Sequence, residues 1–285
     1  YIEDESGKLY KKSHVAFMIH ENLLKKVANK YTEWPAEESV PFAAKKAWRK
    51  FNTLLNTYLE ITENLMAGNR WDIIDPSKVP SMCASRKIKA LLNEKVKVTP
   101  DYDEEETGNR DPYNEDRVNL RKRTKEMFQD PSKINVKTLF PHVIAYKATH
   151  SRSTSVQEFY EASWKKKVME TKEEFVKIQN EISEEMGELA RAMASGNIVG
   201  CADVSGSMTY CGASPNTPLD IAVGLTAFIS CIASDNFKNV ALSFTDVPQV
   251  FSFAEGTSVR NRINQITSRV GYSTNYEGLH KALLE

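Results

Sequence analysis

Apolar residues recur at three- and four-residue spacing through most of the first two hundred positions. Over 13–30, Val15, Phe17, Met18, Ile19, Leu23, Leu24 and Val27 follow the i, i+3, i+4, i+7 rule and predict an amphipathic helix. A second helix is predicted after Pro41, carried by Phe42, Ala43, Trp48, Phe51, Leu54, Leu55, Tyr58, Leu59, Ile61 and Leu65. It stops at Gly68-Asn69, a pair suited to a helix C-terminal turn. A third spans 76–96, with Pro80 fixing its start. Residues 99–113 are acidic, apolar-poor and broken by two prolines, and read as an exposed loop or a disordered insertion. Helices resume at 114–129, 135–149 and 155–195, the last weakest at Gly187. No crisp repeat emerges. Helix after helix with short connectors nevertheless predicts a HEAT-like, solenoid or irregular helical array over 1–197.

Near residue 197 the period changes. A short apolar run at 198–202 predicts a buried strand, 219–233 a strongly apolar helix, and 240–244 and 249–253 two strands about a turn at Asp246-Val247-Pro248. An amphipathic helix follows at 258–268 and another begins at 276. Strand, helix, strand pair, helix predicts an α/β domain, most simply a doubly wound Rossmann-like sheet. The pattern ends inside a helix, so 198–285 reads as the N-terminal part of such a domain. The expected class is therefore multidomain, α plus α/β.

Composition narrows the field. The chain has 285 residues, 41% hydrophobic and 27% charged, enough to bury a sizeable core. Its 38 basic and 38 acidic residues cancel, so no global field drives it onto nucleic acid or an anionic membrane. No stretch approaches the roughly 18 apolar residues of a membrane span, which argues against an integral membrane protein. Cys83, Cys201, Cys211 and Cys231 include no Cys-x-x-Cys pair and suggest neither a disulfide framework nor structural zinc. Cys201 and Cys231 lie in apolar runs and read as small buried hydrophobes. A reducing, cytoplasmic setting is expected, with the nucleus or a virion as alternatives.

The most informative segment is Cys201-Ala202-Asp203-Val204-Ser205-Gly206-Ser207-Met208. An apolar strand delivers an aspartate, then hydroxyls two and four residues on. In an extended loop that spacing aims Asp203, Ser205 and Ser207 toward one point, and Gly206 lets the backbone turn tightly. A carboxylate and two hydroxyls are hard oxygen donors, suited to Mg²⁺, Mn²⁺ or Ca²⁺ and poor for zinc or copper. The blander reading makes these residues the cap of the next helix, with no metal. Catalytic readings are weaker. No Gly-x-Ser-x-Gly elbow surrounds either serine, and Asp203 lacks the second carboxylate expected of a phosphotransferase nucleophile.

Asp203-Val204-Ser205-Gly206-Ser207-Met208 resembles the Asp-x-Ser-x-Ser signature of the von Willebrand factor A domain, whose metal-ion-dependent adhesion site uses all three oxygen-bearing residues. That resemblance implies a Thr from a second loop. Gly271-Tyr272-Ser273-Thr274-Asn275, followed by Gly278-Leu279, matches it and makes Thr274 the fourth ligand. Residues 240–245 and 249–253 resemble that fold's second and third strands. The family's third metal loop supplies an Asp whose counterpart would lie beyond Glu285.

The helical half carries a looser resemblance. Trp71-Asp72-Ile73-Ile74-Asp75-Pro76-Ser77-Lys78-Val79-Pro80-Ser81 and Ile134-Asn135-Val136-Lys137-Thr138-Leu139-Phe140-Pro141-His142 are similar to segments of Ro autoantigen-like (TROVE) proteins and their uncharacterised relatives in plants, fungi and large DNA viruses. There a helical module precedes a von Willebrand A domain, and in the Ro relatives the helical ring binds RNA. Local basic clusters fit that expectation: Lys45, Lys46, Arg49 and Lys50 beside Trp48; Arg86, Lys87 and Lys89; Lys165 to Lys167 beside Trp164. The densest is Arg117, Arg121, Lys122, Arg123 and Lys125, the nucleic-acid candidate. The alternative for each cluster is a solvated helix face with its tryptophan in the core. Among the histidines, His142 reads as a packed or capping residue, and His280 lies near Thr274 without metal-ligand spacing.

The expected function is a non-enzymatic scaffold that engages an acidic group of a protein partner through a bound Mg²⁺ (or Mn²⁺ or Ca²⁺). Its specific version is a ribonucleoprotein component whose helical module holds structured RNA. The alternatives are a structural part of a large assembly such as a viral particle, with a vestigial metal site and self-association, and last a metal-assisted phosphohydrolase.

Overall fold

The computed structural model describes residues 2–3, 9–10, 53, 56, 58–94, 110–181 and 197–284, apart from 235, 269 and 272. The helix expected over 13–30, most of the one after Pro41, residues 99–109 of the acidic segment and the weak point at Gly187 lie outside the described residues. The chain divides into two compact units, Tyr1–Ile73 and Ile74–Glu285.

In the first unit, β1 (Ile2–Glu3) pairs antiparallel with β2 (Leu9–Tyr10). Helix α1 (Thr62–Ala67) ends as its Gly68-Asn69 pair predicts. Asn69 takes φ +53°, and the Asn69 and Arg70 N–H groups reach back to the Met66 and Leu65 carbonyls at 3.3 and 2.8 Å. This left-handed stop satisfies carbonyls the helix cannot use itself.

The second unit holds the remaining helices and one small mixed sheet. Helix α2 (Ser81–Leu91) starts right after Pro80 and ends like α1, with Asn93 at φ +50° and the Glu94 N–H on the Lys89 carbonyl. Asn93 is fully buried, and its side-chain amide exchanges two hydrogen bonds with the Asp111 backbone, which pins residues 110–111 to the helix end. Helix α3 (Glu115–Gln129) is capped by the Asn114 side chain. Helix α4 (Pro141–His150) begins six residues later than the pattern predicts, because 131–133 form a separate turn and Pro141 occupies the first helical position. The long α5 (Thr154–Glu181) follows.

A repeat too short to register in the sequence becomes visible in the structure. Asp75-Pro76-Ser77-Lys78 and Asp130-Pro131-Ser132-Lys133 form the same 3₁₀ turn. In each, the aspartate Oδ1 accepts the serine N–H and Oγ–H, and the lysine pairs with Oδ2. Both turns touch α3. The serine hydrogen bonds come first among the causes that hold both carboxyls below the usual aspartate range.

Beyond residue 197 come β3 (Gly200–Asp203), α6 (Pro218–Ile232), β4 (Val240–Phe244), β5 (Gln249–Ser252), α7 (Val259–Ile266) and α8 (Tyr276–Leu284). The sheet order is β3-β4-β5, with β3 parallel to β4 and β5 antiparallel. A parallel pair needs a crossover, and α6 supplies it, lying on β3. Thr217 starts α6 by accepting the Asp220 N–H and donating to the Asp220 carboxylate, with Pro218 at the first helical position.

Within the second unit, helices α4 and α5 and the sheet-bearing segment share one core. Helix α4 crosses α6 at Gly224, where a Cβ would sit 2.5 Å from the His142 Cα, so only glycine allows the approach. Trp164 of α5 is buried and meets the Phe228 ring edge-on at 5.3 Å. The Glu161 carboxylate accepts the Val259 and Arg260 N–H groups and so caps α7 across nearly a hundred residues of chain.

One buried charge closes this core. Arg262 is 4% exposed. It donates to the Thr257 carbonyl at 3.3 Å, the Ser230 Oγ at 3.0 Å and the Asn239 Oδ1 at 2.6 Å, and its guanidinium lies 4.6 Å from the Phe253 ring centroid. Asn239, at φ +61°, passes the charge outward by donating to Glu255, which pairs with Lys238.

Candidate functional site

Strand β3 ends at Asp203 and runs into a loop at the crest of the sheet. The Val204 N–H still bonds to the Phe244 carbonyl of β4, and Val204 is fully buried, so the loop leaves the sheet from a fixed point. The Asp203 Oδ1 accepts the Ser205 N–H at 2.8 Å, a tight turn that holds the carboxylate over the loop. Ser205 is buried, and its Oγ lies 3.1 Å from the Ser207 Oγ. Asp203 is thus tied to the Ser205 backbone, and the Ser205 and Ser207 hydroxyls meet. A 3₁₀ turn over Gly206–Thr209 follows in place of a regular helix, and the Ser205 side chain caps nothing there.

The second loop comes to the same place. Ser205 forms a parallel bridge with Gly271, and the Gly206 N–H donates to the Gly271 carbonyl at 2.9 Å. Four residues on, the Asn275 N–H donates to the Thr245 carbonyl at 2.8 Å, and the Asn275 side chain caps α8 through the Gly278 N–H. Thr274 is exposed and sits between these two anchors, one on the β3 loop and one at the end of β4. Loops some seventy residues apart are thus joined at one rim.

Sequence reading missed two residues there. Gly271 has no room for a side chain: a Cβ would lie 2.5 Å from the Thr245 Cβ and 2.8 Å from its Oγ1, and would collide with the Asp246 Oδ1. Asp246 counted only as a turn former, yet its carboxylate reaches the rim. The one available signal was its position two residues past the end of an apolar strand, where Asp203 is itself the last residue of β3.

Partial burial, with the Asp203 charge second, pushes the Cys201 thiol up to about 11. Cys201 is itself exposed, against the expectation of a buried hydrophobe, because its side chain alternates away from the α6-covered face that buries Gly200 and Ala202. Cys231 is intermediate in exposure. Among the described residues no three His, Cys, Asp or Glu side chains gather as metal ligands, so the rim's donor set depends on its hydroxyls.

The basic residues of α3 do not share one face. Leu120, Thr124, Met127 and Phe128 are buried and define its core side. At 100° per residue Arg117 falls inside the buried arc, and burial holds its guanidinium below the ordinary arginine value; Arg121 and Lys125 continue from it along one flank, Lys122 faces away from the core, and Arg123 falls on the opposite flank. Trp164 is in the core and offers no stacking platform to the neighbouring lysines. Trp48 and its cluster lie outside the described residues. His142 is a packing residue, its Nε2 lying 3.3 Å from the Asn216 Oδ1, and His280 is exposed. No helix among the described residues is long and apolar enough to cross a membrane.

Residues 197–285 match the model of a domain of unknown function (DUF7788). An uncharacterized protein, L728, of Acanthamoeba polyphaga mimivirus is 23% identical over 245 residues, which are 84% of this chain and 36% of that protein. That match reaches well beyond 197–285 into the helical part, and the chain spans about a third of the relative's length. No solved structure matches the chain significantly.

Proposed function

We propose that the rim of the sheet is a divalent-cation site through which the protein binds an acidic group of a partner. Asp203, Ser205, Ser207 and Thr274 would hold the ion, Mg²⁺ or alternatively Mn²⁺ or Ca²⁺. The observation that supports the reading is the union at Gly271 of the loop carrying Asp203, Ser205 and Ser207 with the loop carrying Thr274. Such hard oxygen donors suit Mg²⁺ and its neighbours. When bound, the ion would act as a Lewis acid open to an incoming carboxylate. The chain's own part is to fix the donors: Asp203 is oriented by the Ser205 N–H, and Ser205 by burial and by Ser207.

The reading is of the von Willebrand A kind, with the parallel β3–β4 pair and antiparallel β5 as the matching part of a doubly wound sheet and the helices before it as a HEAT-like, TROVE-like module. It is non-catalytic. The Ser205 hydroxyl bonds to another serine and not to a histidine or carboxylate that would activate it. Calorimetric titration of the full chain with Mg²⁺ and Mn²⁺ tests it: wild type takes up one ion and Asp203→Ala takes up none. Equal uptake by both, or uptake by neither, removes the reading.

A second activity, RNA binding by the helical module, is favoured by Arg121, Lys122 and Lys125, which lie on one flank and the outer side of α3. Binding of a structured RNA that weakens steeply with salt, and that Arg121→Ala reduces, supports it; a flat salt dependence removes it.

A further inference from the structure

We infer that Asp246 is a second carboxylate of the cation site, contributed by the β4–β5 turn; this rests on the reading of the rim given above. Gly271 is the link. Its carbonyl accepts the Gly206 N–H and its backbone bridges to Ser205, while the space where its side chain would stand is taken by the Asp246 Oδ1 and the Thr245 side chain. One glycine therefore separates the Asp246 carboxylate from the hydroxyl-bearing loop. Two further bonds hold this arrangement, from the Asn275 N–H to the Thr245 carbonyl and from the Asn275 Nδ2 to the Asp246 carbonyl at 3.3 Å.

The charge balance points the same way. Among the described residues, the Asp246 carboxylate has no hydrogen-bond or salt-bridge partner, and no lysine or arginine pairs with Asp203. Elsewhere in this unit exposed aspartates do find lysines, as Asp75 and Asp130 do. Two carboxylates at one rim, with no cation from the described residues pairing with either, repel each other, and a divalent ion relieves that repulsion. A second charge also changes the chemistry of the site. With Asp203 alone an Mg²⁺ ion keeps one net positive charge; with Asp246 added the site is neutral, holds the ion more tightly, and leaves less attraction for an incoming acid. Affinity of such sites is set by the count of ligand charges.

The experiment is titration of the full chain with Mn²⁺ by calorimetry, and its thermal stabilisation by Mn²⁺, for wild type, Asp246→Asn, Asp246→Ser and Asp203→Asn. Loss of a ligand-shell carboxylate is expected to weaken Mn²⁺ about tenfold or more in both Asp246 variants. Their melting temperatures without metal should match wild type, because the residue is exposed. Wild-type affinity in both Asp246 variants, with binding abolished in Asp203→Asn, overturns the role of Asp246 and leaves the site standing. Failure of wild type to bind, or undiminished binding by Asp203→Asn, overturns the site and this inference with it.

Discussion

Two polar clusters in the second unit show opposite solutions to the same problem. Around Arg262 a single cation is buried without a carboxylate in contact, and each of its nitrogens meets an acceptor: a main-chain carbonyl, a hydroxyl and an amide oxygen. The Phe253 face completes the shell. At the crest of the sheet stand Asp203, Asp246 and the Ser205 and Ser207 hydroxyls, and among the described residues no basic side chain pairs with either aspartate. The first cluster is closed and joins α6, the turn before β4, the end of β5 and α7. The second is open among the described residues. A buried charge without partners costs several kcal/mol, so closure is what stability demands, and an open set is what a ligand requires.

The comparison breaks most easily at the closed end. Arg262→Leu keeps much of the apolar stem but leaves the Ser230 and Asn239 acceptors without their donor. The expected loss is about 3 kcal/mol of unfolding free energy, read by urea denaturation. A loss under about 1 kcal/mol would show that these acceptors find water and that the knot is not closed. Next in size is Gly271→Ala, whose methyl group has to displace the Thr245 side chain and the Asp246 carboxylate. Overpacking of this kind costs about 2 kcal/mol, and the same titration measures it. No loss would mean that the two loops are not locked together.

A smaller effect probes the open end without unfolding it. The Cys201 thiol, held at about 11 by partial burial first and by the Asp203 charge second, is far less ionised at pH 8 than a free cysteine. The deficit in thiolate is about a hundredfold, and the greater intrinsic nucleophilicity of a high-pKa thiolate returns part of it. Alkylation of Cys201 at pH 8 should therefore run about tenfold slower than that of a cysteine in an unstructured peptide, as followed by peptide mass mapping. Neutralising Asp203, or placing a cation beside it, should speed the reaction. An unchanged rate in Asp203→Asn would show that the Asp203 charge does not act on the thiol.

How far the sequence revealed these clusters depends on how local each one is. Single-element signals were legible. The Gly68-Asn69 stop, the Pro80 start and the strand at Val240–Phe244 all follow from residues next to one another. So does the meeting of the Ser205 and Ser207 hydroxyls, which needs only an extended loop. The late start of α4 was missed, because apolar spacing over 134–139 continues through a non-helical link in which Ile134, Val136 and Leu139 are buried. Arg262 and Asp246 were invisible for a common reason. The Ser230 and Asn239 acceptors lie 32 and 23 residues from Arg262, and Gly271 lies in a later loop than Asp246; tertiary packing brings them near, and nothing beside Arg262 or Asp246 in the chain records them.

The smallest expected effect separates the two clusters best. Asp203→Asn keeps the side-chain oxygen that accepts the Ser205 N–H, so the loop retains its turn, and it removes one of the two rim charges. In divalent-free buffer the change in unfolding free energy should stay within about 0.5 kcal/mol of zero, and relief of repulsion from Asp246 pushes it toward a gain. In excess Mn²⁺ the wild type should gain stability with concentration while the variant stays flat, because only a ligand bound to the folded state shifts the equilibrium. A residue that holds the fold together, as Arg262 does, destabilises in both buffers when it is replaced. If Asp203→Asn costs 2 kcal/mol or more without metal, the crest is a structural knot of the same kind as the one around Arg262, and the contrast between a closed cluster and an open one disappears.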